Sequence, residues 1–201
     1  LTAGENVYIK RKSSPLSENF AQMSIGSMAR DGGNLILSKK EKEDLLTSFP
    51  RLSSVIKPLF GSEEFIQGKE RWCLWIEDED REFCEGISEI KKRIQSVYEF
   101  RINSKAKTTN QYASIPHKFA QRCYNNYNSP IIIPSTSSEH RKYIPVGYLN
   151  KGSVVTNSAN VVYDSHPYLF GVITSRIHNI WVKAVGGRLE TRIRYAKELV
   201  Y

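Results

Sequence analysis

The stretch from Leu189 to Tyr195 carries the side chains best suited to read chemical groups on a partner. Its period-two alternation predicts a strand with Glu190, Arg192 and Arg194 on one face. Arginine offers paired donors to guanine O6 and N7, and glutamate accepts from cytosine N4. The row could therefore read base edges, although a solvated strand face with internal Glu–Arg pairs gives the same pattern.

A second polar cluster, residues 135–143, separates two apolar runs. Small hydroxyls and cations suit phosphate oxygens, which position a protein on a duplex without carrying sequence information. The candidates for backbone contact in this cluster are Ser137, Ser138, Glu139, Arg141 and Lys142. Lys105 and Lys107, which follow a predicted helix, are further candidates. A plain polar turn explains residues 135–143 equally well.

Asn157 lies in a short polar connector, residues 156–160, between two predicted strands. The asparagine amide can pair with adenine N6 and N7, which makes this connector a second candidate for base reading. Asparagine in a connector also stabilises turns by bonding to nearby backbone, so the turn interpretation stays open.

The sequence shows no constellation of catalytic or metal-binding residues. Its four histidines lie in unrelated places, and no glycine-rich phosphate loop, dinucleotide fingerprint or nucleophile elbow occurs. The acidic run at residues 77–80 lacks the glycine and the spaced ligands of a calcium loop, so we interpret it as a solvated turn. The cysteines are odd in number and far apart, which predicts reduced thiols at Cys73, Cys84 and Cys123. We therefore predict no catalysis, metal or cofactor within this chain.

The 29 basic and 21 acidic residues give a net charge of +8, and their distribution is uneven. Residues 62–99 contain eleven acidic and six basic side chains, whereas residues 101–151 contain eight basic side chains and a single acid, Glu139. A basic block favours a polyanionic partner, because cations that neutralise phosphates release condensed counterions. Soluble domains of similar charge also occur without an anionic partner, so charge alone does not decide.

The remaining pattern predicts the elements that position these residues. Ser38 and Glu41 form a capping-box pattern before a short helix that Pro50 ends. Apolar residues at three- and four-residue steps predict two main helices at 82–103 and 167–185, and a short helix is expected from Pro116 to Tyr124. Strands are predicted at 70–76, 131–133, 143–149, 154–156, 161–163 and 189–195.

These elements predict an α+β fold, in which one mixed, twisted sheet of short strands packs against the two main helices. We expect one domain over residues 1–201, with possible sub-lobes 1–128 and 129–201. The predicted core consists of Trp72, Leu74, Ile90, Ile94, Val97, Ile131, Ile133, Val172, Ile173, Ile177, Ile180 and Trp181.

The ends of the chain suggest a fragment of a longer polypeptide, because it begins at Leu1 rather than Met and ends in strand-like residues. No apolar run approaches the roughly 20 residues that span a bilayer, and no signal peptide opens the chain. We therefore expect a cytoplasmic protein without membrane contact.

Several stretches, taken in chain order, resemble one family. They are Ser14-Pro15-Leu16, Gly26-Ser27-Met28, Asp31-Gly32-Gly33-Asn34-Leu35, Gly61-Ser62-Glu63-Glu64-Phe65-Ile66, Arg71-Trp72-Cys73-Leu74-Trp75, Pro134-Ser135-Thr136-Ser137-Ser138-Glu139, Tyr143-Ile144-Pro145-Val146-Gly147, Ser175-Arg176-Ile177-His178 to Trp181, Gly187-Arg188-Leu189 and Arg194-Tyr195. The set resembles the target-recognition domain of single-chain type IIG (type IIL) restriction–modification enzymes. It covers essentially the whole chain except residues 108–128, which match no stretch of the family.

The resemblance implies a domain that grips double-stranded DNA and selects the site on which other domains of the same polypeptide act. Those upstream parts would be a SAM-dependent adenine-N6 methyltransferase and a nuclease, and they would hold SAM and the Mg²⁺ for cleavage. Within this chain, the positions that match Glu190 and Arg192 form a paired specificity determinant in the family. The positions that match Asn157, Ser158 and Arg194 lie near base edges.

Two other classes stay open at this point. One is a small complete enzyme whose motif is not recognised, and the other is a basic interaction domain that docks an acidic protein. DNA binding weakens steeply as salt rises, and preference for one duplex sequence distinguishes base reading from general basic adhesion.

Overall fold

Short strands alternate with helices along the computed structural model, which describes residues 8–124, 126 and 128–201. The helices are α1 (Lys39–Ser48), α2 (Ser62–Gln67), α3 (Arg81–Glu85), α4 (Ser88–Ile102), α5 (Lys107–Asn110), α6 (Pro167–Thr174), α7 (Arg176–Val185) and α8 (Lys197–Val200). Single 3-10 turns occupy Pro50–Ser54 and Asp78–Asp80. The strands are β1 (Ser24–Ile25), β2 (Ile36–Leu37), β3 (Ile56–Phe60), β4 (Trp72–Leu74), β5 (Ile131–Pro134), β6 (Thr136–Ser137), β7 (Gly147–Tyr148), β8 (Val154–Val155), β9 (Ala159–Val162), β10 (Arg188–Leu189) and β11 (Arg192–Arg194).

The strands confirm the predicted α+β class but not the single sheet. Within the described residues they form three small sheets, with the orders β1-β9-β5-β7, β2-β4-β3-β8 and β10-β11-β6. Pairing is antiparallel except between β3 and β8, which run parallel. Most of these strands end after two to five residues, so none is long enough to carry one ladder across the molecule.

Two main hydrophobic clusters hold these sheets. One lies among α1, β2, β3, β4 and α4, and the other among β5, α6, α7, β11 and α8. A third cluster under β8 and β9 joins them, with Val155 and Val161 fully buried. Strands also cross between the two halves, since β8 pairs with β3 and β1 pairs with β9.

The N-terminus of α1 confirms the predicted capping box. The Ser38 hydroxyl accepts from the Glu41 backbone N–H at 3.3 Å, and the Glu41 carboxylate accepts from the Ser38 N–H at 2.8 Å. These bonds, together with Arg93, lower the pKa of Glu41 to about 2. The 3-10 turn that begins at Pro50 ends the helical segment, as expected for a residue without an amide hydrogen.

The predicted helix at 82–103 has outer bounds within one residue of those observed, but it is two helices rather than one. α3 ends at Glu85 with Gly86 as its C-cap, and Ile87 adopts an extended backbone before α4 begins. The apolar spacing continues across this break, because Ile87, Ile90 and Ile94 are all buried. Periodicity therefore predicted the core residues correctly but did not reveal the break.

The predicted helix at 167–185 is also interrupted, at Ser175. This residue has an extended backbone, and its hydroxyl accepts from the His178 N–H, which caps α7 and lets that helix start in a new direction. As a result Ile177 and Ile180 are 80% and 55% exposed, so their assignment to the core was wrong. The predicted core residues listed next are buried or partly buried: Trp72, Leu74, Ile90, Ile94, Val97, Ile131, Ile133, Val172, Ile173 and Trp181.

Two further local predictions fail. Residues 116–124 are turns and irregular chain rather than a helix, and the strand-like C-terminal residues form α8. Residues 116–124 have a tertiary reason to be irregular, because a buried guanidinium takes the carbonyl groups of this region that a helix would use.

That guanidinium belongs to Arg101, whose side chain is fully buried at the end of α4. Its five N–H donors reach five backbone carbonyls at 2.7–2.9 Å, those of Ala29, Arg30, Tyr112, Ile115 and Lys118. Arg101 thus fixes the loop at residues 29–30 and the segment 112–118 onto α4. This contact anchors residues 112–118.

We predict that Arg101→Met lowers the free energy of unfolding by at least about 3 kcal/mol, since five carbonyls lose a charged donor in a buried place. Chemical denaturation of the purified chain measures the effect. Lys92→Met, on the exposed face of the same helix, is the control and should change stability by less than about 0.5 kcal/mol. Equal effects of the two substitutions would contradict the proposed role of Arg101.

Candidate nucleic-acid interface

The last strand pair is a tight hairpin, which corrects the continuous strand predicted at 189–195. Arg188 and Leu189 in β10 pair antiparallel with Ile193 and Arg192 in β11, and the turn contains Glu190 and Thr191. Glu190 adopts a left-handed backbone with φ 56°, which is uncommon for a residue with a side chain. Glu190 is therefore at the tip of the hairpin and not in a strand row.

The alternation within β11 is as predicted. Arg192 and Arg194 are exposed on one face, whereas Ile193 and the following Tyr195 are buried in the second core cluster. The Glu190 carboxylate accepts from Arg192 Nη2 at 3.4 Å, so these two predicted site residues lie together. The Arg194 guanidinium makes no side-chain hydrogen bond to the part of the chain that the structure describes, and it is available to a ligand.

Strand β6 extends this hairpin on its other side. Arg194 faces Thr136, and Ile193 faces Ser137, so Thr136 shares the outer face while Ser137 points inward. Ser137 is only 4% exposed, and its hydroxyl has no partner among the described residues. Its predicted contact with a phosphate therefore does not fit this conformation, because the pairing register turns it to the core.

The loop that follows β6 carries the other candidates for backbone contact. The Ser138 hydroxyl accepts from the His140 N–H at 3.3 Å and shapes a turn. The pKa of the Glu139 carboxyl group is lowered by its own backbone N–H and by the nearby Thr191 hydroxyl. Glu139 therefore lies beside the tip of the hairpin.

Helix α7 fixes the same loop through side-chain hydrogen bonds to its backbone. The buried Asn179 amide oxygen accepts from the Ile144 N–H at 2.8 Å, and Lys183 Nζ donates to the Lys142 carbonyl at 3.1 Å. The Lys142 side chain is exposed and that of Arg141 is partly buried. The loop thus presents both cations beside the hairpin on a fixed backbone.

The predicted base-reading connector lies between β8 and β9, with Asn157 and Ser158 exposed. The Asn157 N–H donates to the Ser27 carbonyl at 3.0 Å, and the Ser158 hydroxyl accepts from the Ser62 N–H at 2.9 Å. The Asn157 side-chain amide makes no hydrogen bond within the described ranges, so its donor and acceptor face the solvent.

Two glycines allow this connector to lie so close to its neighbours. A Cβ on Gly26 would come within 2.1 Å of the Thr156 carbonyl oxygen, and a Cβ on Gly61 within 2.5 Å of the Ser158 Oγ. Any larger residue at either position would displace the connector. The two family stretches that begin at Gly26 and Gly61 therefore pack directly against residues 156–158 and fix their position.

Consecutive backbone hydrogen bonds join the connector to the hairpin. The Ser135 N–H donates to the Ser158 carbonyl at 3.1 Å, and the Tyr195 N–H donates to the Ser135 carbonyl at 2.9 Å. The buried Asn160 amide adds a bond to the Tyr195 carbonyl at 3.3 Å. These bonds join the connector and the hairpin into one hydrogen-bonded unit, called the frame below. The frame carries Asn157, Ser158, Arg192 and Arg194.

The connector also forms one wall of an open cleft of about 520 Å³, whose other walls include Arg30, Ser62 and Glu63. Lys105 and Lys107 are exposed beyond this cleft, at the start of α5. They lie near it through Arg30, which donates to the hydroxyl groups of Thr108 and Thr109. Neither lysine lines the cleft, and Arg30 links the start of α5 to it.

The acidic run at residues 77–80 is not the fully solvated turn that the sequence suggested. Glu77 accepts from both terminal nitrogens of Arg122, which lowers its pKa, and that guanidinium also stacks on Trp75 at 4.2 Å. Asp78 accepts from Lys118 and from His117, and both bonds lower its pKa. Glu77 and Asp78 therefore partly neutralise the charges of Arg122 and Lys118.

Elsewhere, the described residues bring few reactive or metal-binding groups together. No group of three or more His, Cys, Asp or Glu side chains there is placed to hold a metal ion. No helix in these residues is both long and apolar enough to span a membrane. The three cysteines are free, and burial raises the pKa of Cys84 to about 11.

The sequence did not identify the residues that support the interface. Gly26, Gly61 and Ser62 appeared there only as parts of matching stretches, with no assigned role. A Gly-Ser pair in a loop, repeated at Gly26-Ser27 and Gly61-Ser62, is a signal for close backbone approach that could have found them.

Comparisons with known proteins agree with this arrangement. The sequence profile of the family described as MmeI, target recognition domain matches residues 3–201. The match includes residues 108–128, so these residues do belong to the family pattern, which corrects the gap expected there. DNA methyltransferase A of Bacillus subtilis (strain 168) is 38% identical over 201 residues, which are all of this chain and 23% of that protein. The type IIL restriction–modification enzyme MmeI in complex with DNA superposes with a TM-score of 0.90 and 35% identity, over all of this chain and 27% of that one. The chain thus spans about a quarter of the length of these relatives.

We predict that Gly26→Ala lowers the free energy of unfolding by about 3 kcal/mol, because the added methyl group meets backbone atoms that cannot move away. Gly171→Ala in α6 is a matched control, since a Cβ there meets nothing within 4 Å. The control should leave the chain as stable or raise its stability by up to about 1 kcal/mol. Thermal unfolding of the two variants measures the difference, and equal midpoints would refute the crowding argument.

A second prediction concerns pH. Burial lowers the pKa of His178, which hydrogen-bonds the Tyr195 hydroxyl at 2.9 Å. The folded chain therefore keeps this imidazole neutral, whereas the unfolded chain takes up a proton below a pH of about 6.5. Stability should fall as the pH drops through this range, and His178→Gln should make the fall shallower in urea titrations at a series of pH values. A slope that stays the same in His178→Gln would contradict this assignment.

Proposed function

Because the chain belongs to the MmeI target-recognition-domain family, we propose that it reads a short double-stranded DNA sequence on behalf of a restriction–modification methyltransferase. The observation that carries this proposal is the single frame formed by the hairpin and the connector. It presents Arg192, Arg194 and Asn157 outward, with their side chains unpaired or only weakly paired among the described residues. Such groups on a rigid backbone suit direct readout of base edges.

The Glu190–Arg192 pair would read one base pair. Arg192 would donate to guanine O6 and N7, and Glu190 would accept from N4 of the cytosine paired with it. Their mutual contact in the free chain is exposed and long, at 3.4 Å, so exchanging it for base contacts costs little. A complete pair of this type discriminates against the wrong base by about 1–3 kcal/mol.

Arg194, Asn157 and Ser158 would read neighbouring positions. The bonds from Tyr195 to Ser135 and from Ser135 to Ser158 fix the spacing between the hairpin and the connector. Asparagine pairs well with adenine N6 and N7, and a serine hydroxyl either donates or accepts. We propose that Asn157 and Ser158 act on positions distinct from the one that Glu190 and Arg192 read.

The cations around this frame would bind the phosphate backbone of the DNA. Arg141 and Lys142 lie in the loop beside the hairpin, where the Ser138 hydroxyl would add a neutral contact, and Lys105 and Lys107 are exposed at and just before α5. Each phosphate that they neutralise contributes affinity that salt weakens, without specifying sequence. Glu139 would act indirectly, because its carboxyl group lies beside Thr191 at the hairpin tip.

The chemistry itself would belong to other parts of the polypeptide. We propose that those parts bind SAM and methylate adenine N6 after the base is flipped from the duplex, and that Mg²⁺ supports cleavage in an associated nuclease. This chain would supply the choice of site and no catalytic group. An enzyme acting on cellular DNA would work in the cytoplasm.

Selection from a randomised duplex library of about ten base pairs tests the proposal, at moderate salt and in the full polypeptide. The variant Glu190→Lys/Arg192→Asp should enrich sites that differ from the wild-type site at one base pair, by roughly 10- to 100-fold. Asn157→Ala should relax a different position, because the connector and the hairpin contact separate bases.

The matched control is Arg81→Asp/Glu85→Lys, which swaps charges in an exposed pair on α3. It should enrich the wild-type site unchanged. Sites that stay the same in the hairpin variant would contradict base reading by Glu190 and Arg192. The absence of any enriched sequence for the wild-type polypeptide would overturn the proposed function as a whole.

A further inference from the structure

Arg30 has an unusual backbone for an arginine. Its φ is 47°, in the left-handed region that residues with a side chain rarely adopt. The conformation is enforced, because the Arg30 carbonyl accepts from Arg101 Nε at 2.9 Å and the preceding Ala29 carbonyl accepts from Arg101 Nη2 at 2.8 Å. An outlier that the surrounding structure holds in place is a reason to look for a function.

The guanidinium of Arg30 is also held in one orientation. Nε donates to the Met28 sulfur at 3.1 Å, and Nη1 donates to the hydroxyl groups of Thr108 and Thr109 at 3.0 and 3.1 Å. All three partners are neutral, and Nη2 makes no hydrogen bond to any residue that the structure describes. One nitrogen is therefore left to a ligand in the cleft that Arg30 lines beside Asn157 and Ser158.

The acidic residues of this cleft do not neutralise Arg30. The Asp31 carboxylate accepts from the Gly33 and Leu35 N–H groups at 3.1 and 2.6 Å. Glu64 is buried and pairs with Arg71, and Glu63 pairs with Lys69. Among the described ion pairs none includes Arg30, so its charge lies in the cleft without a counterion from this part of the chain.

The pattern of occupied donors indicates which anion fits. Bidentate reading of guanine requires two neighbouring guanidinium nitrogens, and here Nε and Nη1 are already bonded. A single nitrogen with two hydrogens suits one phosphate oxygen, where position matters and base identity does not.

We propose that Arg30 binds a phosphate of the DNA strand that passes along the cleft beside Asn157 and Ser158. This rests on the proposed function and adds a contact that positions the connector on the duplex. The left-handed backbone and the two threonine hydroxyl groups pre-orient the guanidinium, so little conformational freedom is lost when DNA binds.

The test measures DNA affinity of the full polypeptide against salt, for the selected site and for an unrelated duplex. Arg30→Gln should weaken binding to both duplexes by about the same factor, roughly tenfold. It should also reduce the slope of log K against log salt by about 0.9, the value for one phosphate contact. Arg30→Lys keeps the charge and should retain most of the slope. Arg51→Gln, which removes a guanidinium stacked on Phe83 in a different groove, should change neither quantity.

The outcomes separate this proposal from the function itself. If Arg30→Gln binds DNA with wild-type affinity and an unchanged salt slope, the proposed phosphate contact is refuted. The proposed function is then unaffected. A change in sequence preference for Arg30→Gln overturns it as well, because the residue would then read a base. A wild-type polypeptide that binds no DNA refutes both proposals together. Thermal unfolding of Arg30→Gln within about 0.5 kcal/mol of wild type shows that a loss of affinity is not a folding defect.

Discussion

Two backbone hydrogen bonds, from Ser135 to the Ser158 carbonyl and from Tyr195 to the Ser135 carbonyl, hold the candidate interface together. They join three segments that are far apart in the sequence, and each segment is anchored separately to a core cluster. Reading a base edge requires the contacting groups to be placed within about 0.5 Å of the right geometry, so the main chain must fix their spacing. The two bonds act together with the Asn160 side-chain bond to the Tyr195 carbonyl and with the pairing of β6 and β11.

The same arrangement separates recognition from folding. Ile193 and Tyr195 point into the core and hold β11 in place, whereas Arg192 and Arg194 point outward and carry no packing. Exposed side chains of this kind can be exchanged at small cost to stability. A domain built in this way can change the sequence that it reads while its fold stays the same, which suits a protein whose function is to discriminate among DNA sites.

Two arginines show how the environment assigns opposite roles to one residue type. Arg101 is surrounded by five backbone carbonyls and uses every donor within the fold. Arg30 has neutral partners for part of its guanidinium and lines an open cleft, so it keeps a donor for a ligand. The pairs of Glu77 with Arg122 and of Asp78 with Lys118 likewise use charged groups within the fold.

The sequence by itself determined the α+β class, the capped helix α1, most of the core and the outward alternation of Arg192 and Arg194, because all of these depend on local periodicity and on capping chemistry. It also placed Asn157 in a connector between strands. The tertiary structure alone decided that the long apolar stripes are broken at Gly86 and Ser175, since periodicity continues across a break. It placed Glu190 at a hairpin tip and turned Ser137 to the core, because strand register depends on pairing partners distant in the chain. Only the tertiary structure revealed the structural roles of Gly26, Gly61 and Arg101. Each of these residues contacts a backbone segment that is distant in the sequence and near only in the folded chain.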